Sequence, residues 1–188
     1  MLTGGRSAKA LYEQWNNFGE PLSDMSGVHF FIGDERCVST NHPDSNYGMV
    51  MRTLLPNGKP KFVEFDRMEA ESINVEASAD RYAALLPDSI DVLLLSMGDD
   101  GHIASLFPNS PALFETKRKV LPVISPFKPY KRLTITPPVI QAAKHVYVLA
   151  IGDKKRLKYE EALLEPEDIN SFPARLVLDR MWIFNLNE

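Results

Sequence analysis

The sequence predicts a three-layer α/β domain with a mainly parallel, Rossmann-like sheet between two layers of helices. Short apolar runs typical of buried strands alternate along the chain with segments of helical periodicity, which is the pattern of a parallel sheet. The run at 90–95 is almost continuously apolar, as in strands that are covered on both faces. A length of 188 residues with 44% hydrophobic residues suits one core, so we expect a single domain over residues 1–188.

The first helix is entered directly from a Gly4-Gly5 turn. Apolar residues recur at spacings of three and four over 7–15, which predicts an amphipathic helix. A turn of this kind normally leaves a strand, but only Met1-Leu2-Thr3 precede it, fewer than the roughly five to six residues of a typical strand. We therefore expect that the chain lacks N-terminal elements of the complete domain.

The remaining elements follow from periodicity and from start and stop signals. Ser45 is predicted to cap the second helix, and Pro56-Asn57-Gly58 to end it. Pro137-Pro138 opens a short helix, because proline is tolerated in a first helical turn. The predicted strands are 28–32, 62–65, 90–95, 120–124, 132–136, 145–151 and 181–184, and the predicted helices are 7–15, 46–55, 74–86, 137–143 and 154–164.

Composition excludes several classes of function. The chain has 21 Lys and Arg against 25 Asp and Glu, a net charge of −4, so it has no global attraction for nucleic acid or anionic lipid. The longest apolar runs are far shorter than the about 20 residues that a membrane-spanning helix needs. Cys37 is the single cysteine, which predicts a reducing compartment, and we expect a cytoplasmic protein.

Four loops begin with glycine directly after an apolar run. They are 4–7, 33–36, 98–102 and 152–154. In parallel sheets, ligands bind beyond the carboxyl ends of the strands, and these loops are predicted to leave those ends. The sequence therefore predicts one site built from all four loops.

The residues of these loops allow two readings each. Gly4-Gly5-Arg6-Ser7 either holds a phosphate at a helix N-terminus or is a tight connection with Ser7 as a plain N-cap. Asp100 and His102 either form a carboxylate–imidazole pair for general base catalysis or belong to a solvated turn. Asp34 and Arg36 offer a carboxylate and an oxyanion-binding guanidinium, or a surface ion pair.

Basic residues near predicted strand ends can complete an anion site. Lys131, Arg132 and Lys154 are candidates to close on a phosphate. The residues expected on the solvated face of the last helix are Lys155, Arg156 and Lys158. A metal site is not expected, because the chain has one cysteine, no Cys-x-x-Cys and no histidine pair at i, i+4.

Several blocks resemble the 6-phosphogluconolactonase family, which is related to the glucosamine-6-phosphate deaminases. The specific block is Gly98 to Pro108, with its Asp-Gly-His-Ile-Ala-Ser-Leu-Phe-Pro run. Support comes from Gly4-Gly5-Arg6-Ser7, Gly33 to Val38 with Ser45-Asn46-Tyr47, Arg132 to Thr136 with Pro138-Val139-Ile140, and Gly152-Asp153-Lys154. The order and approximate spacing of these blocks hold from Leu2 to about Pro173.

This resemblance implies a fold, a reaction and a set of site residues. The fold is that of glucosamine-6-phosphate deaminase, ribose-5-phosphate isomerase and the CoA-transferases. The reaction is hydrolysis of 6-phospho-D-glucono-1,5-lactone, a small phosphosugar partner, without metal or organic cofactor. The implied catalytic residues are His102 as the base, Asp100 beside it, and Asp34 and Arg36 in a second loop; the implied phosphate-binding residues are Gly4, Gly5, Arg6, Ser7, Arg132 and Lys154.

The sequence also departs from the family pattern, and two other functions stay open. Arg6-Ser7-Ala8 stands where the family usually has Ser-Thr-Pro. One alternative is an aminosugar-phosphate isomerase and deaminase, which has an acidic Asn-Glu-Pro pattern where this chain has Ser105-Leu106-Phe107-Pro108. The other is a non-catalytic phosphosugar-binding regulator, against which Asp100 and His102 argue, because a sensor needs no base.

Overall fold

The computed structural model describes residues 1–18, 26–164 and 168–184. Its strands are β1 (His29–Phe30), β2 (Asp34–Arg36), β3 (Glu64–Phe65), β4 (Val92–Ser96), β5 (Val120–Ile124), β6 (Lys131–Ile135), β7 (His145–Leu149) and β8 (Met181–Ile183). Its helices are α1 (Arg6–Asn17), α2 (Asn46–Thr53), α3 (Val75–Leu85), α4 (Pro137–Ala142) and α5 (Asp153–Ala162). Each predicted helix and strand therefore has a counterpart, with bounds that differ by a few residues.

The parallel sheet is held together by the first residues of the chain. β1 pairs with β3, β4 pairs with β7, and β7 pairs with β8, and all three pairs are parallel. Between these two groups, Leu2 forms a parallel bridge with Ile32, while Leu94 N donates to Met1 O on the other side. Residues 1–3 thus lie between the two groups of strands, although they form an isolated bridge and not a regular strand, in line with the argument that three residues are too few for one. Met1, Leu2 and Thr3 are buried at the centre of the sheet, because they bond to neighbours on both edges.

Helices cover both faces of this sheet, as the sequence predicts. Strand side chains alternate, so Phe30 and Ile32 pack with one hydrophobic cluster and Phe31 with the other. Tyr12 of α1 lies on the first side and Tyr82 of α3 on the second. Each buried tyrosine hydroxyl bonds to sheet backbone, that of Tyr12 to Thr3 and that of Tyr82 to Ile32.

A second, antiparallel sheet was not predicted. It has the order β2-β6-β5, so residues 34–36, predicted as a loop, form a strand that pairs with β6. Gly33 O accepts from Ile135 N, which draws the chain out of the parallel sheet immediately after Ile32. The two 3₁₀ segments Pro111–Phe114 and Pro173–Val177 were also not predicted. In the described part of the chain, no helix is both long and apolar enough to cross a bilayer.

Candidate active site

A pocket of about 250 Å³ opens at the carboxyl ends of the central strands. Residues of three predicted loops, 4–7, 33–36 and 98–102, line it, as expected for loops at one sheet edge. The fourth loop, 152–154, contributes no lining residue, and only Lys155, directly after it, reaches the pocket. The lining residues are Thr3, Gly4, Gly5, Arg6, Asp34, Arg36, Ser96, Met97, Gly98, Asp99, His102, Ala104, Arg132 and Lys155. Of the candidate residues, Asp100, Ser7 and Lys154 are not in this lining, but Asp100 bonds to His102 and Ser7 to Lys155, which are.

His102, which lines the pocket, forms a close pair with Asp100. The distance between His102 Nδ1 and Asp100 Oδ1 is 2.5 Å, and His102 N also donates to the same oxygen at 3.2 Å. Burial opposes the charge of Asp100, but the bonds from His102 outweigh it and the pKa of Asp100 lies below its usual value. A carboxylate on Nδ1 fixes the tautomer, so Nε2 is the ring nitrogen that can accept a proton.

Gly98 makes room for this histidine. A Cβ on Gly98 would overlap the His102 ring at Cε1 and Nδ1. The Phe107 ring packs on the His102 ring, with centroids 4.7 Å apart. The ring is thus confined between backbone and an aromatic side chain, which limits its rotation.

Asp34 and its partner Asn46 join four parts of the site. Its Oδ2 accepts from Ser105 Oγ at 2.7 Å, and its Oδ1 accepts from Asn46 Nδ2 at 3.1 Å. Asn46 also packs on Gly4, where an added Cβ would overlap its side-chain amide. The His102 loop, β2, the start of α2 and the Gly4-Gly5 loop are therefore linked through one buried carboxylate.

Asn46, Ser105 and Glu35 are site residues to which sequence reasoning gave no role. The buried Glu35 carboxylate accepts from the backbone N–H groups of Arg36, Asn46 and Tyr47 and from Ser45 Oγ. Burial raises the pKa of Glu35, although the three backbone donors work in the opposite direction. Asn46 and Ser105 stand inside the quoted motifs, so the signal was present, but their partners are distant in the chain.

Arg36 and Arg132 face each other across the antiparallel sheet, where they are paired in register. Arg132 is buried, its Nε donates to Pro129 O, and its guanidinium lies 5.4 Å from the Phe107 ring centroid. Burial, and next the charge of Arg36, lower the pKa of Arg132. Arg36 donates through Nη1 to Asp44 O, and within the described residues its buried Nε has no hydrogen-bond partner.

The Gly4-Gly5 loop leads into α1 without a side-chain cap. Gly5 is the N-cap residue, with φ +94°, which favours glycine. Ser7 is therefore the second residue of the helix, after Arg6, and is not the N-cap. Its buried hydroxyl contacts Lys155, whose Nζ lies 3.2 Å from Ser7 Oγ, while Arg6 is exposed at the pocket.

Lys155, which was expected on the solvated face of the last helix, lines the pocket, whereas Lys154, the predicted phosphate ligand, does not. α5 begins at Asp153 after Gly152, and successive helical residues are about 100° apart, so neighbours point in different directions. Lys154 is exposed, whereas Lys155 is half-buried and lines the pocket. Burial lowers the pKa of Lys155, with the charge of Asp99 acting against this effect.

Among residues 1–18, 26–164 and 168–184, no three His, Cys, Asp or Glu side chains come together as a metal site would require. The polar groups at the pocket are guanidinium, ammonium and hydroxyl donors, the Asp100–His102 pair, and the carboxylates of Asp34 and Asp99. This set suits an anionic substrate and a proton transfer.

Comparison with known proteins connects this geometry to one family. The sequence model of the glucosamine-6-phosphate isomerases/6-phosphogluconolactonase matches residues 1–183. The chain belongs to this family. The glucosamine-6-phosphate isomerase/6-phosphogluconolactonase family was the one suggested by the Asp-Gly-His block, so that interpretation is confirmed.

Similar proteins agree with the family in sequence and in fold. A 6-phosphogluconolactonase of Pseudomonas aeruginosa is 40% identical over 185 residues, covering 95% of this chain and 76% of that protein. A 6-phosphogluconolactonase of Homo sapiens is 34% identical, covering 94% and 72%. The crystal structure of a 6-phosphogluconolactonase from Shewanella baltica superposes with a TM-score of 0.82 at 27% identity, covering 97% and 80%. The fold implied by the resemblance is confirmed.

Proposed function

We propose that this chain hydrolyses 6-phospho-D-glucono-1,5-lactone to 6-phosphogluconate, a step of the oxidative pentose phosphate pathway. The observation that carries the proposal is one pocket that brings together the His102–Asp100 pair, the start of α1 and Lys155. The relatives named 6-phosphogluconolactonase support the same reaction. We also propose that the protein is cytoplasmic, as the single cysteine predicts.

The chemical step begins at His102. With Nδ1 bonded to Asp100, Nε2 takes a proton from water while the water oxygen attacks the lactone carbonyl carbon. The resulting imidazolium returns the proton to the ring oxygen as the C–O bond breaks, so the histidine ends as it began. General base catalysis of this kind contributes about 10²- to 10⁴-fold, and Asp100 stabilises the charged ring in between.

Negative charge develops on the carbonyl oxygen during the attack. Arg36 lines the pocket, and its buried Nε has no partner in the described part of the chain, so it is our candidate oxyanion donor. Both carboxylate oxygens of Asp34 are bonded to neighbours, so we assign it to positioning Ser105 and Asn46 and not to proton transfer.

The phosphate is a remote handle that positions the lactone. We place it at the start of α1, against the Gly4-Gly5 loop, where helix N–H groups favour an anion. Lys155 and Arg6 supply positive charge there, and Arg132 supplies it from β6. Because this end of the substrate does not react, its contacts set KM more than kcat.

The test is base consumption during hydrolysis of freshly prepared lactone, with a no-protein control because the lactone opens spontaneously. We expect hydrolysis above that background, and His102→Ala to lose most of it while still binding 6-phosphogluconate. A wild-type rate from His102→Ala would contradict the assigned base. Ammonia release from glucosamine 6-phosphate would instead favour the deaminase reaction.

A further inference from the structure

Ser96, the last residue of β4, has a hydroxyl with no assigned role at the floor of the pocket. Its Oγ is buried and has no hydrogen-bond partner among the residues that the structure describes. Its location is nevertheless inside the pocket lining. A buried hydroxyl without a partner is disfavoured by a free energy comparable to a lost hydrogen bond, so its retention calls for a ligand.

The alternation of β4 shows which end of the pocket this hydroxyl serves. Leu93 and Leu95 belong to the hydrophobic cluster on the α3 side, whereas Leu94 packs with the cluster on the α1 side. Ser96 is two residues beyond Leu94, so it shares the α1 face. It therefore lies under the start of α1.

The position of Gly5 agrees with this placement. A Cβ on Gly5 would lie 3.6 Å from Ser96 Oγ, so the hydroxyl is adjacent to the N-cap of α1. The His102 ring is occupied by its bond to Asp100 and its packing on Phe107, and no His102 atom is among the nearest neighbours of a Cβ at Gly5. The anion expected at the helix start is thus the group closest to Ser96.

We propose that Ser96 Oγ donates a hydrogen bond to the substrate phosphate and makes the enzyme selective for the phosphorylated lactone. This inference rests on the proposed function, because it places the phosphate of that substrate at α1. A phosphate dianion offers only acceptors, so a hydroxyl can always satisfy it as a donor. An unphosphorylated lactone leaves the hydroxyl without its partner, which adds discrimination against it.

The experiment compares two substrates and two ligands. Wild type, Ser96→Ala and Ser96→Cys are assayed with 6-phospho-D-glucono-1,5-lactone and with D-glucono-1,5-lactone, and binding of 6-phosphogluconate and gluconate is measured by calorimetry. Both variants should raise KM and Kd about ten-fold for the phosphorylated compounds, as expected for a hydrogen bond to a charged group, with kcat unchanged. They should change kcat/KM for the unphosphorylated lactone less than two-fold. Cysteine keeps the shape with a weak donor, so it tests the hydroxyl if the alanine variant fails to fold.

Ser78→Ala is the matched control. Ser78 is also buried and its Oγ donates to Glu69 O, but it lies on α3 and outside the pocket lining. Ser78→Ala should leave KM, kcat and kcat/KM for the two lactones and Kd for 6-phosphogluconate and gluconate unchanged. Equal losses for phosphorylated and unphosphorylated compounds, or no loss in either Ser96 variant, overturn the inference.

The outcomes separate this inference from the proposed function. Wild-type hydrolysis with an unaffected Ser96→Ala variant overturns the Ser96 assignment alone. Wild-type binding of 6-phosphogluconate without hydrolysis overturns the reaction, and the binding comparison still decides the role of Ser96. A wild type that neither hydrolyses the lactone nor binds the product overturns both.

Discussion

Replacing Lys155 with methionine, beside the same change at Lys154, tests where the substrate phosphate binds. Methionine keeps much of the aliphatic stem and removes only the ammonium group, so packing on α1 is largely preserved. Lys155 is half-buried, lines the pocket and bonds to Ser7 Oγ, whereas Lys154 is exposed one helical position away. Both variants lose one positive charge, and they differ only in the direction in which the replaced side chain points.

The magnitude follows from the contact that is lost. A hydrogen bond to a charged group is worth about 1.5–3 kcal/mol, so Lys155→Met should raise KM for the lactone and Kd for 6-phosphogluconate about 10- to 150-fold. Lys154→Met should change both less than about two-fold, as expected for an exposed charge. The kcat value should stay within a few-fold in both variants.

The pH dependence gives an independent readout of the same contact. Burial lowers the pKa of Lys155 in the free protein, and a bound dianion favours the ammonium form, so binding takes up a proton once the pH exceeds this lowered pKa. Wild-type Kd for 6-phosphogluconate should therefore rise at alkaline pH, and Lys155→Met should lose this dependence. A larger effect of Lys154→Met than of Lys155→Met would refute the placement of the phosphate.

Two further predictions concern the reacting end of the pocket. Gly98→Ala should lower kcat by at least about 10²-fold with little change in 6-phosphogluconate binding, because its Cβ forces the His102 ring away from Asp100. Gly33→Ala, whose Cβ would meet only ordinary contacts of 3.5 Å or more, is the control, and equal losses in kcat would contradict the reasoning. Asp100→Asn should lower the free energy of unfolding in urea at neutral pH and make it less dependent on pH in acid. The pKa of Asp100 is lowered by folding, so its ionised carboxylate stabilises the fold above its ordinary pKa. This stabilisation is lost as the pH falls through the folded-state pKa, and the variant lacks it at every pH. Parallel stability curves for Asp100→Asn and wild type between about pH 2 and 6 would contradict it.

The parallel part of the fold could be predicted because it depends on local patterns. Strands β4 and β7 are short runs of apolar residues, and Ser45 is a capping residue before a helix, where its hydroxyl accepts from Gly48 N. These signals need no knowledge of distant partners. The same is true of Asp100 and His102, which are two residues apart and bond directly.

The antiparallel sheet and the choice between Lys154 and Lys155 could not be predicted in this way. Strand β2 is a three-residue strand of charged residues, and only its pairing with β6, about a hundred positions later in the chain, makes it one. The direction of Lys155 depends on where α5 starts, and a shift of one residue rotates a side chain by about 100°. The sequence alone does not show which distant strand pairs with β2 or at which residue α5 begins. The strand at 34–36 and the lysine that faces the pocket were therefore not predicted.

The two sheets divide the proposed work of the site. In the proposed arrangement, the parallel sheet carries β4 and the start of α1 to the phosphate, whereas the antiparallel sheet carries Asp34 and Arg36 to the reacting group and Arg132 to the phosphate. Asp34 joins the two through Ser105 and Asn46, and Asn46 in turn packs on Gly4. Buried hydrogen bonds and packing therefore connect the Gly4-Gly5 loop, where we place the phosphate, with the segment that follows His102. Substitutions at the phosphate end should accordingly raise KM, those at the His102 end should lower kcat, and a change that breaks the bridge at Asp34 is the one expected to affect both.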